Sequence, residues 1–281
     1  MHEIYAGWIG RATARTVLAA GLLASVLLGS LANPGLAAGP AGRPRPDIVV
    51  RQAAEVLTHG PRTGKVIALT FDDGYNPAVC GALVDVLVAT KTPATFFPNS
   101  VHVVAAPKLW RRVAELGFPI ANHTATHPFL PNLGYAAQHD QIWKSRLAIE
   151  QVIGGPSLSV FRPPYGAYTP GTLFAAHASG YPTLLNWDVS FADSSRRRNG
   201  RPWPTSSYVR AASKGRPGSV ILGHCGNRID VAALPGVIAS YRSRGFDFVT
   251  VPELLGLPDA APMHFPDVPL PPPAPVRHVA L

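Results

Sequence analysis

Between Lys65 and Leu255 the chain switches repeatedly between short apolar runs of strand length and stretches with helical spacing, and this alternation most narrows its fold. Val66-Ile67-Ala68-Leu69-Thr70-Phe71 is continuous and apolar, the pattern of a strand buried on both faces. Asn76-Pro77 then supplies a cap and a first-turn proline for a helix carried by Val79, Leu83, Val86 and Leu87. The unit recurs with Thr95–Phe97 and a helix from Pro107 to Gly117, and with Pro119–Asn122 and a helix from Ala136 to Ile153. Ser159–Arg162 precedes a helix over Pro170–Ser179, and Thr183–Trp187 one over Ser206–Ser213. Ser219–Leu222 precedes a helix over Val231–Arg242, and Phe246–Val251 closes the series. About seven such β-α units predict an α/β fold with a parallel sheet and helical crossovers. No Gly-rich dinucleotide or phosphate loop follows the first strand, so the expectation is a distorted or partly open (β/α) barrel.

The flanks read differently. Residues 1–37 resemble a signal peptide: Arg11 and Arg15 precede an apolar stretch from Val17 to Leu31, and Gly35-Leu36-Ala37-Ala38 offers small residues for cleavage after Ala37. An uncleaved anchor is the alternative, although the apolar run is shorter than the roughly 20 residues a membrane span needs. Residues 38–64 read as a linker, 65–257 as the folded domain and 258–281 as a Pro-rich tail. The chain is therefore expected to be secreted or held at the cell envelope. Two cysteines exclude a disulfide-dense scaffold, and without a Cys-x-x-Cys pair any metal must be held by His and carboxylate. The formal charge of +9 invites a nucleic-acid partner. However, only 15% of residues are charged and the basic ones are scattered apart from Arg196-Arg197-Arg198, so no nucleic acid is expected. An anionic envelope surface or acidic polymer suits the charge equally well.

In such barrels functional groups gather at the C-terminal strand ends, whose loops share one face. The polar residues there are Asp72-Asp73 after the first strand, His123 and His127 after the third, Arg162 after the fourth, Asp188 and Asp193 after the fifth, and His224 after the sixth. Adjacent aspartates leaving a strand point in different directions, so one can ligate a metal while the other handles a proton. Two imidazoles and a carboxylate leave open positions for water and substrate. That set suits zinc, cobalt, nickel or ferrous iron, the last keeping an oxygenase open.

Thr70-Phe71-Asp72-Asp73-Gly74, His123-Thr124-Ala125-Thr126-His127, Arg162-Pro163-Pro164-Tyr165 and Leu222-Gly223-His224, in this order, resemble the motifs of polysaccharide deacetylases of the NodB-homology type, carbohydrate esterase family 4. The resemblance spans residues 65–255 and implies a divalent metal, usually zinc, and removal of acetyl groups from an acetylated polysaccharide. It implies Asp72 as general base, Asp73, His123 and His127 as metal ligands, and Arg162 as the ion-pair partner of the base. It further implies the backbone N–H of Tyr165 as an oxyanion donor, Leu222 lining the acetyl pocket, Trp187 beside the substrate, and His224 as general acid. The substrates implied are N-acetylglucosamine units of peptidoglycan or a chitin-like polymer. An O-acetyl esterase acting on xylan or small esters, and a binding protein without turnover, are the rivals.

Two departures qualify the resemblance. Relatives carry an Asp that supports the catalytic histidine where this chain has Ser190, and a Trp where it has Ser194; either Asp188 or Asp193 substitutes, or His224 loses that support and amide hydrolysis suffers more than ester hydrolysis. Cys225 stands after His224, where relatives often have an acid. Cys80 lies just beyond the Asp-Asp-Gly loop, so either a Cys80–Cys225 bridge beside the site or two free thiols fits the expected barrel.

Overall fold

A computed structural model describes residues 52–192, 197–198, 201–258 and 263–266. The signal-peptide stretch, the Pro-rich tail beyond residue 266, Asp193 and Ser194 lie outside the described residues. The strands are β1 (Glu55–Leu57), β2 (Val66–Asp73), β3 (Thr95–Pro98), β4 (Val160–Phe161), β5 (Thr183–Leu185), β6 (Val189–Ser190), β7 (Arg197–Arg198), β8 (Arg201–Pro202), β9 (Val220–Cys225) and β10 (Asp247–Val249). The helices are α1 (Pro77–Ala89), α2 (Ser100–Ala105), α3 (Pro107–Glu115), α4 (Tyr135–Ile153), α5 (Pro170–Ala178), α6 (Thr205–Ala212), α7 (Arg228–Ser243) and α8 (Val251–Leu255). No described helix is long and apolar enough to cross a membrane.

All strand pairings are parallel except the β7–β8 hairpin, which takes in two of the three clustered arginines. β2 is central, with β9 along one edge and, along the other, β10 at its first half and β3 at its second. Parallel bridges Phe96↔Ile120 and Asn122↔Phe161 carry the pairing on to β4, which joins β5. The chain then runs from β5 into β6, and β6 returns to β9. This circuit is the distorted (β/α) barrel that the alternation predicts. The stretch expected as a third strand, Pro119–Asn122, contributes only isolated bridges, because the chain bends after Asn122 instead of continuing.

The expected linker is partly inside the fold. β1 lies between 38 and 64 and pairs with β5, Ala54 is buried, and Gly60 hydrogen-bonds Gly218, so the folded part begins before Lys65. Three residues are too short a run to stand out against the linker around them.

Pleating divides β2 and β9 between two environments. Ile67, Leu69 and Phe71 of β2, with Ile221 and Cys225 of β9, join the core beneath α1 and α7. Ala68 and Val220 belong to a second core cluster with Phe97, Ala121 and Leu185. The alternate positions that follow them, Thr70 and Asp72 on β2 and Leu222 and His224 on β9, lie in the same rows. Cys80 and Cys225 form a disulfide, tying the first turns of α1 to the end of β9. α1 is started by Asn76, whose side chain accepts the Val79 N–H, with Pro77 at the first helical position.

Two stability predictions follow from this packing. Replacing both Cys80 and Cys225 with Ser is expected to lower unfolding free energy by about 2–5 kcal/mol in denaturant titration; an unchanged midpoint would show that the bridge carries no stability. Gly74 has φ +95°, and a Cβ there would sit 2.5 Å from a ring carbon of fully buried Trp110. Gly74→Ala is therefore expected to cost about 2 kcal/mol or more and to lower the thermal midpoint by several degrees; a wild-type midpoint would contradict it.

Candidate active site

The register of the three strands sets the site. Asp72 is opposite Phe97 on β3 and His224 on β9, and Asp73 is opposite Pro98 and Cys225. Asp72, 2% exposed, keeps the strand's inward row, while Asp73 turns out of the pattern with φ 74°. Left-handed backbone recurs at Thr124, His127 and Tyr165, with φ of 70°, 60° and 62°. Side chains with a Cβ rarely adopt it, and such positions concentrate where a fold over-determines them to aim functional groups.

Arg162 is wholly buried and makes the densest set of polar contacts. Its guanidinium donates to Asp72 Oδ1 at 2.7 Å, Thr70 Oγ1 at 2.9 Å, the Leu185 carbonyl at 2.9 Å and the Asn186 carbonyl at 3.2 Å. Its central carbon stands 4.0 Å from the Phe97 ring centroid and 5.8 Å from that of Trp187. Burial lowers its pKa, opposed by the adjacent Asp72. Trp187 is thus half-buried behind the arginine, with its ring edge under Gly166 in the Tyr165 turn.

His123 and His127 arrive on the bend after Asn122. Asn122 Oδ1 accepts the Thr124 N–H at 2.8 Å while its amide donates to the Ile142 carbonyl and the Tyr181 hydroxyl. The Asn99 amide donates to the His123 carbonyl, and Thr124 Oγ1 accepts the His127 N–H. His123 Nδ1 is 2.7 Å from the Arg162 carbonyl, which assigns the proton to Nδ1 and leaves Nε2 as a lone-pair donor. That Nε2 lies 3.8 Å from Asp73 Oδ1 and 3.6 Å from Asp72 Oδ2; His127 Nε2 is 3.5 Å from Asp73 Oδ1.

Donor atoms of Asp73, His123 and His127 all fall within 4.8 Å of one another. Burial pushes both histidine pKa values down, favouring the neutral imidazole that can ligate, with nearby Asp72 opposing the shift. Burial also raises Asp73, and its Oδ1 is buried with no hydrogen-bond donor. A carboxylate oxygen left so, within reach of two imidazole nitrogens, fits a divalent cation.

Most expected groups thus converge. Tyr165 caps the site from the Pro163-Pro164 turn, 64% exposed, with its ring 4.6 Å from that of His127 and 6.0 Å from that of Phe129. Leu222 is buried and in register with Thr70, and His224 stands opposite Asp72 in the same register. Asp188 does not join them. It accepts from Arg62 at 2.7 Å, Ser219 Oγ at 3.0 Å and the Val220 N–H at 2.9 Å, at the opposite end of β9 from His224. The expected support of His224 by Asp188 is therefore corrected: strand register places it four residues too early along β9.

Asn99, Asn122 and Asp230 were not legible as site residues, because each acts through backbone bonds that only the tertiary fold creates. A trace existed for Asp230: Asn227-Arg228-Ile229-Asp230 has the cap and first-turn acid of a helix start, three residues before the expected Val231.

Comparison with known proteins agrees with this geometry. Residues 59–184 match the family model for polysaccharide deacetylase. The chain is 32% identical over 209 residues to a chitooligosaccharide deacetylase of Sinorhizobium fredii, covering 69% of this chain and 94% of that one. It is 31% identical over 199 residues to a peptidoglycan-N-acetylglucosamine deacetylase of Bacillus cereus, covering 69% and 90%. Among solved structures, a peptidoglycan N-acetylglucosamine deacetylase in complex with an N-hydroxybenzamide superposes with a TM-score of 0.66 at 28% identity, covering 72% of this chain and 92% of that one. A family 4 carbohydrate esterase from Streptomyces lividans in complex with acetate gives 0.59 at 29%, covering 66% and 92%. With two thirds of the chain aligned to nearly whole relatives and the four strand-end motifs brought to one mouth, the chain belongs to the polysaccharide deacetylase family.

Proposed function

We propose that this protein is an exported, metal-dependent deacetylase that removes acetyl groups from N-acetylglucosamine units of peptidoglycan or a chitin-like polymer. The observation that carries the reading is the cradle of Asp73, His123 and His127 beside an aspartate, Asp72, locked to buried Arg162. The relatives named for chitooligosaccharide and peptidoglycan support the substrate class. The signal-like residues 1–37, and a disulfide of the kind that persists in oxidising compartments, support export to the envelope.

A divalent cation held by Asp73, His123 and His127, zinc in our reading, supplies Lewis acidity toward an acyl carbonyl and toward water. The chain's own groups do the rest. Asp72, held in one orientation by Arg162, takes the proton from the attacking water. The backbone N–H of Tyr165 donates to the oxygen that becomes negative as the tetrahedral centre forms; one such donor is typically worth about 10²–10³ in rate. Leu222 bounds the space for the acetyl methyl, and Trp187 holds the Tyr165 turn from below. His224 then gives a proton to the nitrogen as the carbon–nitrogen bond breaks, so acetate leaves behind a free amine instead of an unstable amide anion.

Acetate release from chitin oligomers, peptidoglycan and acetylated xylan tests the reading. The expected result is release from the two N-acetylated substrates that stops with chelator and returns with zinc, and that falls by about 10²-fold or more in Asp72→Asn. Release confined to xylan would favour the O-acetyl esterase instead. Calorimetric titration provides a separate check: one zinc site per chain, weakened by about 10-fold or more in His127→Ala but retained in Asp72→Asn. Equal zinc affinity in wild type and His127→Ala would exclude this ligand set.

A further inference from the structure

The turn that carries the Tyr165 N–H is left-handed twice over, and an amide side chain outside the chemistry described above holds it. Tyr165 and Gly166 have φ of 62° and 68°. The Gly166 N–H donates to the Pro163 carbonyl at 3.0 Å, and its own carbonyl accepts from Asn186 Nδ2 at 3.1 Å. A Cβ on Gly166 would come within 3.1 Å of a Trp187 ring carbon and 3.5 Å of Asn186 Nδ2. Gly166 is thus held at its N–H, its carbonyl and its α-carbon, immediately after the residue whose N–H faces the reaction. Asn186 is fixed in turn through its backbone: its N–H donates to the Leu57 carbonyl at 2.8 Å, and its carbonyl accepts from Arg162 at 3.2 Å. One residue therefore joins the guanidinium that orients Asp72 to the turn that aims the Tyr165 N–H.

The side chain of Asn186 is a poor choice for stability alone. Its Oδ1 is buried and accepts no hydrogen bond, a desolvation loss that offsets what the Nδ2 bond gains. An apolar side chain of the same branching would leave no such oxygen behind. What the amide adds is direction, because it donates to one carbonyl of a backbone conformation that residues with a Cβ rarely adopt. An oxyanion donor speeds a reaction only if it is already set where the negative charge will develop. We propose that Asn186 is a positioning residue for the oxyanion donor, its Nδ2–Gly166 bond fixing the Tyr165–Gly166 turn so that the Tyr165 N–H is aimed before the tetrahedral centre forms. This rests on the deacetylase reading and on the Tyr165 N–H as its oxyanion donor.

The test compares Asn186→Leu and Asn186→Ala with the wild-type, zinc-loaded full chain on chitotetraose and 4-nitrophenyl acetate. Leu repeats the branching of Asn without either polar group, and Ala removes the side chain without adding bulk. Both substrates pass through a negative oxygen on an acetyl carbon, one with an amine leaving and the other with a phenolate. In both variants kcat is expected to fall about 10-fold or more on the amide and on the ester alike, with KM within about twofold of wild type. Zinc affinity is expected to stay within about twofold, and the thermal midpoint of at least one variant within about 2 °C. An unchanged kcat, a loss carried by KM, a loss confined to the amide, or a zinc site weakened in step with kcat would overturn the proposal. A midpoint lowered by more than about 5 °C in both variants would also overturn it, making the contact a structural one. Wild-type protein that releases acetate from neither substrate would instead overturn the deacetylase reading, and this proposal with it.

Discussion

A guanidinium with no exposure to water organises this structure. Arg162 leaves β4 and reaches across the barrel to Thr70 and Asp72 on β2 and to the carbonyls of Leu185 and Asn186 after β5. Burying it is tolerable because four of its five N–H groups meet an acceptor and because Asp72 returns a negative charge; removing one member of such a pair typically costs about 3–5 kcal/mol. The pair therefore constrains three strands at once. Its backbone carbonyl also sets the tautomer of His123, so the same residue that orients the proposed base orients one proposed metal ligand.

Around that anchor the fold concentrates cost at the mouth. Asp73, Thr124, His127 and Tyr165 hold left-handed backbone, Asp73 holds a buried oxygen without a hydrogen-bond donor, and Asp230 places a buried carboxyl group at the His224 backbone. None of these stabilises the barrel taken alone. Each is compensated by regular packing below, where alternate residues of β2 and β9 fill two core clusters, and by the Cys80–Cys225 bridge beside the His224 turn. A cation in the Asp73 cradle would relieve the most unfavourable of them, which is why the donor set fits one.

Much of this was readable from one sequence, for a physical reason. A strand buried on both faces must be continuously apolar, so the point where Val66–Phe71 gives way to Asp72-Asp73 marks both a strand end and a polar mouth. Helix ends were equally legible where Asn-Pro, Gly-Gly or Pro punctuates the chain. What escaped were contacts that depend on register and depth. β1 is too short to announce itself, and the third strand dissolves into two bridges because Asn122 bends the chain. Asp188 stands two residues before Ser190 in sequence, yet strand register carries it to the start of β9 and into a pair with Arg62. Asp230 was hidden because a residue that binds backbone has no partner to match in the sequence.

The central claim is that Asp73, His123 and His127 form one cation site that the buried Arg162–Asp72 pair holds ready. The most direct measurement is anomalous diffraction at the zinc edge from crystals of the protein grown with stoichiometric zinc. The account predicts a single strong peak bounded by Asp73 Oδ1, His123 Nε2 and His127 Nε2, with Asp72 still paired to Arg162. A peak elsewhere, or an intact cluster that binds no zinc, would contradict it.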